Sequence, residues 1–479
     1  MMQDQLTGRD CPLVVDLDGT LINTDLLFEG FVLLLRKNPL YIFPCLLWLT
    51  KGKAYLKNKI LGKVTIPAKL LPYNTELLEF LNEEHKKGRK IVLATASPIA
   101  NAIDVAKAQP IFGEVYGTTG DVNLKGKNKL NLLIEKFGKS NFDYIGDNRA
   151  DLVIFASARH SYLVSSSGSL ANSAKKVSDL KHTWKQKKTT PKVYIKSIRA
   201  YQWIKNILIF VPLITSHTIS AVNPLMQAIG GFFAFSFVAS AGYLINDLFD
   251  LNSDRAHPRK RFRPLASGRM SILTGIILAF VLLAGGITLA SFLGIYFLAV
   301  LIFYFITSFS YSMFLKKIVL YDVFILALLY STRVIGGGVV TDIPLSFWLI
   351  AFSTFLFLSL AFVKRYSELM HVNGDAGLKS RGRDYLVTDI SLLQVMGIAS
   401  GFLSIIVFSL YINSPEVVLL YSRPKILWAI SFLFLFWISH IWLITTRGKM
   451  TDDPIIFALK DVTSYFIFLL IGLIVFISV

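Results

Sequence analysis

Cysteine and acidic residues are both scarce in this 479-residue sequence. The two cysteines, Cys11 and Cys45, are too few for a disulfide framework or a cysteine-based metal site. Asp and Glu number 31 against 50 Lys and Arg, which gives a formal net charge of +19. Charged residues make up 17% of the chain, below the ~25% of ordinary soluble proteins. The first ten residues are polar and exclude a cleavable signal peptide, so we expect a cytoplasmic N-terminus.

What the chain has instead is apolar sequence, at 53% hydrophobic residues, which excludes disordered, collagen-like and nucleic-acid-binding tails. Its distribution is uneven. Residues 1–165 alternate amphipathic stretches with short β-type runs that end in turn signals: CPLVVDLDGT, KIVLATASP, FDYIGDNRAD and RHSYLVSSS. Strands that alternate with helices are typical of an α/β domain with a parallel sheet. We therefore predict such a domain over 1–165.

A membrane domain is predicted over residues 193–479. A basic linker, 166–192, precedes it, and its Ser, Lys and Thr favour a position near a membrane surface. Nine later segments are apolar and long enough for a bilayer, which needs ~20 residues. They lie near 202–220, 224–246, 271–290, 292–311, 320–340, 345–364, 390–412, 425–445 and 455–478. Lys and Arg concentrate in the even-numbered loops, which predicts that these loops face the cytoplasm.

One apolar stretch in the α/β part has two interpretations. Residues 26–48 are mostly apolar, but Glu29, Arg36, Lys37 and Pro39 divide them into pieces too short to span a bilayer. We favour a helical insert, about 25–75, that packs on the α/β domain. The alternative is an amphipathic hairpin that rests on the bilayer and brings the domain against the membrane.

The first candidate site follows the strand LVV. Asp16 and Asp18 stand in the turn after this strand, where ligands bind in an open parallel sheet. A carboxylate that attacks phosphorus needs a cation to neutralise the phosphoryl oxygens. It also needs a second acid, two residues on, to protonate the leaving alcohol.

The other parts of such a site occur in a suitable order. Thr95 follows the strand IVLA and can donate hydrogen bonds to a phosphoryl group. Lys129 offers a fixed positive charge, although the lysines at 125 and 127 compete for this role. Asp147 and Asp151 follow the strand FDYI and supply the oxygen ligands that suit Mg²⁺.

These residues resemble the haloacid dehalogenase superfamily, in the branch of phosphoserine-phosphatase-like hydrolases with a helical cap after the first motif. The resemblance covers residues 11 to about 165 and implies a Rossmann-like fold. It implies that Asp16 is the nucleophile and a metal ligand, Asp18 the acid and base, and Asp147 a metal ligand. The alternative is a degenerate domain kept as a scaffold.

A second group of carboxylates stands at the end of the span near 224–246. Asp247, Asp250 and Asp254 follow Asn246 with spacing i, i+3, i+7, which predicts one helix face. We name these three carboxylates the ladder. They repel each other, and a divalent cation that carries a diphosphate removes the conflict. The basic loop that follows offers phosphate ligands, although part of its charge is a topology signal. Its cations are Arg259, Lys260, Arg261 and Arg263.

Further polar residues lie in and beside the predicted spans. Arg333 lies eleven residues after Asp322, on the same predicted helix face and near mid-bilayer. An arginine there indicates either a function or a structural ion pair. We predict a substrate-binding role for Lys205, Asn206, Asn246, Lys316, Asp322, Arg333, Lys364 and Arg365.

Residues from about 195 to 479 resemble the UbiA superfamily of intramembrane prenyltransferases. The resemblance implies nine helices around a cavity open to the cytoplasm and the lipid, with Mg²⁺ bound near the ladder. The aromatic prenyltransferase branch has a close Asp pair in the loop after span six. Here that loop lacks the pair and carries Lys364, Arg365, Asp375, Lys379 and Arg381. The chain resembles instead the polyprenyl-phosphate phosphoribosyltransferase branch. Four features carry this resemblance: QWxKN, the ladder with its basic loop, YSxxLK and KRxxEL.

We therefore predict a Mg²⁺-dependent integral membrane transferase that moves 5-phosphoribose from phosphoribosyl diphosphate to a polyprenyl phosphate. The fused phosphatase is predicted to remove the 5-phosphate of the product. Alternatives are a prenyltransferase with a polyprenyl diphosphate donor and an aromatic or lipid acceptor, and a membrane-anchored phosphatase. We expect a multi-pass plasma (inner) membrane protein whose active sites face the cytoplasm, with no nucleic-acid partner. Whether the chain forms a homo-oligomer is left open.

Overall fold

The computed structural model describes residues 11–119, 123–186, 189–370, 383–450 and 453–479. The chain forms two compact units: Met1–Ile198 with Asp247–Leu278, and Arg199–Asn246 with Ala279–Val479. Asp375, Lys379 and Arg381 of the predicted basic loop after span six lie outside the described residues.

The first unit contains a six-stranded sheet in which all pairings are parallel, in the order β3-β2-β1-β4-β5-β6. The strands are β1 Leu13–Val15, β2 Ile91–Pro98, β3 Glu114–Thr118, β4 Asp143–Gly146, β5 Ser161–Val164 and β6 Leu180–Trp184. Every residue of β1 is buried, as expected for an inner strand covered on both faces. The predicted α/β domain with a parallel sheet is confirmed.

Nine helices accompany these strands within the described part of residues 11–198. They are α1 Leu26–Lys37, α2 Ile42–Thr50, α3 Lys53–Leu61, α4 Thr75–Lys86, α5 Ile99–Ala108, α6 Lys127–Phe137, α7 Leu152–Phe155, α8 Gly168–Val177 and α9 Pro191–Ser197. The helices α1 to α3 lie in the segment predicted as a helical insert. Asp25 caps α1, because its carboxylate accepts the backbone N–H of Leu27 at 2.8 Å.

Much of the predicted linker, 166–192, belongs to this α/β domain. It contains α8 and β6, and β6 pairs with β5 at the edge of the sheet. Leu170 and Ala174 lie on one face of α8 and are buried in the core. The basic composition of the segment obscured both elements. In α8, two apolar residues one turn apart are enough to fix a short helix on the core, and in β6 an edge strand tolerates lysine.

The chain beyond residue 198 is helical. Its helices are α10 Val211–Thr215, α11 Val222–Phe249, α12 Leu251–Ala256, α13 Ile272–Leu293, α14 Ile295–Met313, α15 Tyr321–Thr341, α16 Phe347–Met370, α17 Ile390–Ile412, α18 Pro415–Leu420, α19 Trp428–Thr446, α20 Pro454–Ala458 and α21 Val462–Ser478. Of the described residues, seven stretches are helical, apolar and long enough to cross a membrane: α11, α13, α14, α15, α16, Val387–Ile412 and Pro424–Thr446. The chain is therefore an integral membrane protein.

Two predicted spans do not form single long helices, so the count of nine is not confirmed. The segment 202–220 overlaps the 3₁₀ helix Ala200–Phe210 and contains the short α10, which starts anew because Pro212 stands in its first turn. The segment 455–478 is divided at Asp461, whose carboxylate accepts the backbone N–H of Ser464 at 2.8 Å and so begins the 17-residue α21.

Small residues allow close helix packing in the second unit. A Cβ added at Gly397 of α17 would lie 2.2 Å from the indole of Trp442 on α19. Ser359 of α16 donates to the carbonyl of Gly397 at 2.7 Å and accepts from the Trp442 indole at 3.2 Å. Small residues with a bonded hydroxyl are typical of helix contacts in membrane bundles.

Candidate active sites

Three carboxylates meet at the carboxyl edge of the sheet in the first unit. Asp16 follows β1, Asp147 follows β4, and Asp151 lies one turn further on. Each offers one oxygen, and these oxygens lie within 4.8 Å of one another. Because β1 and β4 are parallel neighbours, their carboxyl ends share an edge. The structure thus brings together the three residues that we predicted as metal ligands of the α/β domain.

The turns around these carboxylates are fixed by backbone contacts. Asp151 accepts the backbone N–H groups of Asp147 and Asn148, both at 3.1 Å. A Cβ at Gly19 would lie 2.2 Å from the Asp147 carboxylate, and the φ of Gly19 is +79°. Only glycine suits that conformation and that approach.

Lys129 supplies the positive charge next to the nucleophile candidate. Its ammonium lies 2.9 Å from the Asp16 carboxylate and donates to the Tyr144 hydroxyl at 3.0 Å. Tyr144 in turn donates to Asp151 at 3.2 Å. Lys129 is 2% exposed, whereas the lysines at 125 and 127 are exposed. Of the three lysines considered, Lys129 is the one that contacts Asp16.

Asp18 has a separate set of partners. Its carboxylate accepts from Lys57 of α3 at 2.8 Å, from the Ser97 hydroxyl at 2.7 Å and from the backbone N–H of Leu26 at 2.9 Å. Burial would raise the pKa of Asp18, but these contacts outweigh burial and lower its pKa below the usual value. Thr95 is fully buried, and its hydroxyl accepts the backbone N–H of Ser97 at 3.0 Å.

The electrostatics of the three-carboxylate cluster suit a divalent cation. Burial raises the pKa of Asp16 to about 6; Lys129 opposes this shift, while Asp151 and Asp18 add to it. Burial, Asp16 and Asp151 raise the pKa of Asp147 to about 8. The negative charges are therefore poorly compensated by the protein alone. Three carboxylate oxygens are the hard ligands that Mg²⁺ prefers, so this donor set fits Mg²⁺.

A cavity of about 910 Å³ opens over these carboxylates within the first unit. Residues of α1, of α3 and of the segment 255–273, which contains the basic loop after the ladder, line it. Six exposed cations line it as well: Lys53, Lys69, Lys125, Lys185, Arg261 and Arg269. The cavity therefore combines acidic residues with a cationic wall, which suits a phosphorylated ligand.

Buried contacts hold the segment after the ladder against the α/β domain. Arg255 pairs with Glu29 of α1, and their side chains are 5% and 1% exposed. Arg255 also donates to the carbonyl of Ala266 at 3.0 Å. A Cβ at Gly268 would lie 2.4 Å from the backbone oxygen of Asn23, so the chain passes there as only glycine allows.

The buried Arg255–Glu29 pair leads to a prediction about stability. We expect Glu29→Ala to destabilise the first unit by about 3–5 kcal/mol, because it leaves a buried guanidinium without its carboxylate. Thermal unfolding of the full chain in detergent, followed by fluorescence, measures this loss. Glu29→Ala combined with Arg255→Ala should cost less than the sum of the two single changes. Additive losses would contradict the pairing.

The ladder is interrupted, which corrects the prediction of one continuous helix face. Asp250 stands between α11 and α12, with φ of −96° and ψ of 12°, and lies 3.6 Å from Arg36. Arg263 of the basic loop donates to Asp247 at 3.0 Å and to Asp254 at 2.7 Å. Repulsion between the carboxylates is thus relieved by two arginines. Within the described ranges, the ladder oxygens do not form a group of three within 4.8 Å.

The remaining cations of the basic loop are open to solvent, since Arg259, Lys260 and Arg261 are exposed. Asn246, Lys316 and Lys364 are half-buried, and all three belong to the second unit.

A buried polar group lies among the helices of the second unit. Arg333 of α15 donates to the Asn206 side chain at 2.8 Å and to the Tyr304 hydroxyl at 2.9 Å. Asn206 donates to the Ser236 hydroxyl at 2.9 Å. In the part of the chain that the structure describes, the hydrogen-bond partners of Arg333 are neutral: Asn206, the Leu329 carbonyl and Tyr304. A buried arginine held by neutral groups keeps its positive charge available to an anion.

Two other predicted substrate-binding cations have carboxylate partners. The Arg365 guanidinium lies 2.6 Å from the Asp322 carboxylate, and both side chains are fully buried. Asp322 also accepts from the Tyr385 hydroxyl at 2.5 Å. Lys205 pairs with Asp453. Asp322 thus pairs with Arg365 and not with the arginine eleven residues on, and this contact has the form of a structural ion pair.

We expect Asp322→Asn to act on stability and not on substrate binding. The change removes one of the two carboxylates beside the buried Arg365 guanidinium and leaves Glu368 as the other, at a cost of about 1–3 kcal/mol. Limited proteolysis of the purified chain should show faster cleavage, while KM for the transfer donor stays unchanged in the folded fraction. A raised KM with unchanged proteolysis would make Asp322 a substrate ligand.

Sequence reasoning missed several residues that contact the predicted ones, among them Lys57, Ser97, Tyr144, Ser236, Tyr304, Tyr385 and Asp453. Two of them had a usable signal: Ser97 stands two residues beyond Thr95 on the same strand, and Tyr144 stands three residues before Asp147. The others come from elements that lie further away in the sequence.

Comparison with known proteins identifies the membrane part. The UbiA prenyltransferase family matches residues 209–471, more than half of the chain. The uncharacterized protein y4nM of Sinorhizobium fredii is 35% identical over 466 residues, 97% of this chain and 90% of that protein. Nodulation protein NoeC of Azorhizobium caulinodans is 32% identical over 273 residues, 57% of this chain and 88% of that protein.

Decaprenyl-phosphate phosphoribosyltransferase of Mycobacterium tuberculosis is 34% identical over 183 residues, which cover 36% of this chain and 59% of that enzyme. The family match spans most of the second unit and includes the ladder and its basic loop. With its apolar helices and this match, the chain belongs to the UbiA prenyltransferase family.

Proposed function

We propose that the chain transfers 5-phosphoribose from phosphoribosyl diphosphate to a polyprenyl phosphate and then removes the 5-phosphate of the lipid product. One observation carries the coupling of the two reactions. The cavity over Asp16, Asp147 and Asp151 is also lined by the basic loop that follows the ladder. The partial similarity to decaprenyl-phosphate phosphoribosyltransferase supports the choice of donor and acceptor.

In the transfer reaction, Asp247, Asp250 and Asp254 would hold Mg²⁺, which neutralises the leaving diphosphate. Asn246 immediately precedes the ladder in the sequence and would help to orient it. The exposed cations of the basic loop bind the donor phosphates, and Arg263 is able to exchange its carboxylate partners for phosphate oxygens. Loss of diphosphate from the anomeric carbon leaves a delocalised cation, which the acceptor phosphate attacks.

The acceptor phosphate needs cations of its own. Lys205 and Arg365 are paired with Asp453 and Asp322, which favours Lys364 and Arg333 for this role.

In the phosphatase reaction, the Asp16 carboxylate attacks phosphorus and displaces the ribose 5-oxygen. Asp18, whose contacts hold its pKa below the usual value in the free chain, must first take up a proton and then gives it to that oxygen. Asp16, Asp147 and Asp151 would hold Mg²⁺, which neutralises the phosphoryl oxygens. Lys129 stabilises the negative charge beside Asp16. Water then attacks phosphorus, releases phosphate and frees Asp16. This chemistry, with α1 to α3 as a cap, is that of a haloacid dehalogenase-type hydrolase. We expect both active sites of the chain, for transfer and for hydrolysis, to face the cytoplasm.

Product analysis tests the function. Purified full chain in lipid vesicles receives Mg²⁺, labelled phosphoribosyl diphosphate and a polyprenyl phosphate, and the lipid extract is separated by thin-layer chromatography and mass spectrometry. We expect polyprenyl-phosphoryl-ribose, with its 5-phosphorylated precursor at early times. Reaction of a polyprenyl diphosphate with an aromatic or lipid acceptor, and none with phosphoribosyl diphosphate, would replace our proposal by a prenyltransferase.

A further inference from the structure

The helix α2 of the first unit presents an apolar face to solvent. Five large apolar side chains on α2 and the 3₁₀ turn before it are each at least 53% exposed. They are Leu40, Phe43, Leu46, Leu47 and Leu49. Soluble surfaces rarely leave so many large apolar side chains together, and such a patch marks an interaction site.

The other face of α2 is packed, so the helix is a fixed part of the fold. Cys45 is buried in a cluster with Leu34 of α1 and Ile60 of α3, and Trp48 packs against the same cluster. Asn38 bonds the backbone N–H of Leu40 at 2.9 Å and starts the turn before α2. The exposed face therefore follows from the fold and not from a loose segment.

The stretch of sequence that contains α2 carries charge of one sign. From residue 30 to residue 75 the chain has eight Lys or Arg and no Asp or Glu. The cations that flank α2 directly are all exposed: Arg36, Lys37, Lys51 and Lys53. Cations at both ends of an exposed apolar helix face are typical of a helix in the interface of an anionic membrane.

We propose that α2 lies in the interfacial layer of an anionic lipid bilayer, with its apolar face toward the acyl chains. Nine residues of α-helix extend about 14 Å, too short for a hydrocarbon core of about 30 Å, so α2 lies along the surface. A second copy of the chain fits this face poorly. A symmetric contact would bring two purely cationic segments together.

The consequence for the reaction follows from the neighbours of α2. The helices before and after it, α1 and α3, contribute Leu27, Phe28, Lys53 and Lys57 to the cavity lining. With α2 at the bilayer surface, the cavity takes up the head group of a lipid whose chain stays in the membrane. This consequence depends on the proposed phosphatase function, whereas the position of α2 does not.

Spin-label depth measurements test the proposal on the full chain in vesicles that contain anionic phosphatidylglycerol. Leu47→Cys carries the label on α2, and Ile103→Cys on α5, 39% exposed, is the matched control in the same unit. The unchanged chain is the labelling blank, because Cys11 and Cys45 are buried. The accessibility of each label is measured with two relaxation reagents, oxygen, which enters the bilayer, and a nickel chelate, which stays in water.

We expect the label at Leu47 to be accessible to oxygen, shielded from nickel and about 5–10 Å below the head groups. The label at Ile103 should show the reverse, and vesicles without anionic lipid should give a shallower Leu47 label. Equal nickel access at both positions overturns the proposal. A label at Leu47 that is shielded from both reagents, with spin–spin broadening that grows with protein density, also overturns the proposal, because it indicates contact with a second copy of the chain. Neither readout depends on activity, so loss of the proposed reaction would not affect it.

Discussion

Asp16→Asn should stop removal of the 5-phosphate, with a fall in turnover on the order of 10⁴-fold, while phosphoribosyl transfer continues. The amide has the size of the carboxylate but is no nucleophile. Its oxygen still accepts a hydrogen bond from Lys129, so the buried contact survives the change. Mass spectrometry of the lipid products should show the phosphorylated intermediate accumulating in place of the final lipid.

Asp25→Asn is the matched control for this experiment. Asp25 lines the same cavity and caps α1, and asparagine caps a helix as well as aspartate does. We expect a normal product ratio. If Asp16→Asn also leaves the ratio unchanged, the domain does not act on this lipid. Hydrolysis of a soluble aryl phosphate by the unchanged chain then separates a phosphatase with another substrate from a scaffold without activity.

The parallel sheet and its carboxylate cluster were accessible from the sequence because both depend on local pattern. Apolar runs that end in Asp16 and Asp147 specify strands, and parallel neighbours place their carboxyl ends at one edge. Lys129 was predicted as the cation, but the sequence left the lysines at 125 and 127 as competitors. The choice among them depends on the register of α6 against the sheet, where Tyr144 of β4 receives the ammonium group.

The membrane part shows the same division between local and tertiary information. Hydropathy located the long apolar helices, since about 20 apolar residues suffice to recognise a span. It did not reveal that Asp322 contacts Arg365 and Tyr385, because that contact joins elements more than 40 residues apart. The break at Asp250 was also hidden. Helical spacing continues through the ladder, and the contact at the break comes from a distant helix: Arg36 of α1 donates to the carbonyl of Phe249 at 2.6 Å.

The loop after the ladder gives the clearest case of a role that the sequence pattern concealed. Its basic residues were expected to bind phosphates of the transfer donor. In the structure this segment also lines the cavity over Asp16 and is tied to α1 through Arg255 and Glu29. The two partners of this buried ion pair lie 226 residues apart in the chain.

Asp247→Asn should reduce phosphoribosyl transfer by about 10²- to 10³-fold and leave hydrolysis of a soluble aryl phosphate intact. The amide cannot neutralise a cation, so Mg²⁺ and its diphosphate would be held by two carboxylates instead of three. Asparagine still accepts from Arg263, which also bonds Asp254, so the contact that holds the basic loop persists. Product formation from labelled phosphoribosyl diphosphate in vesicles measures the loss.

Asp342→Asn provides the control, because it makes the same chemical change at an exposed carboxylate beyond the end of α15. Its φ of 55° is one that asparagine tolerates, so both activities should stay normal. Full transfer by Asp247→Asn would remove the ladder from the mechanism. An equal loss of transfer and hydrolysis would mean that Asp247 serves the fold of the first unit. An unchanged chain that hydrolyses phosphate esters but transfers nothing would leave a membrane-anchored phosphatase, in which Asp247→Asn has no effect.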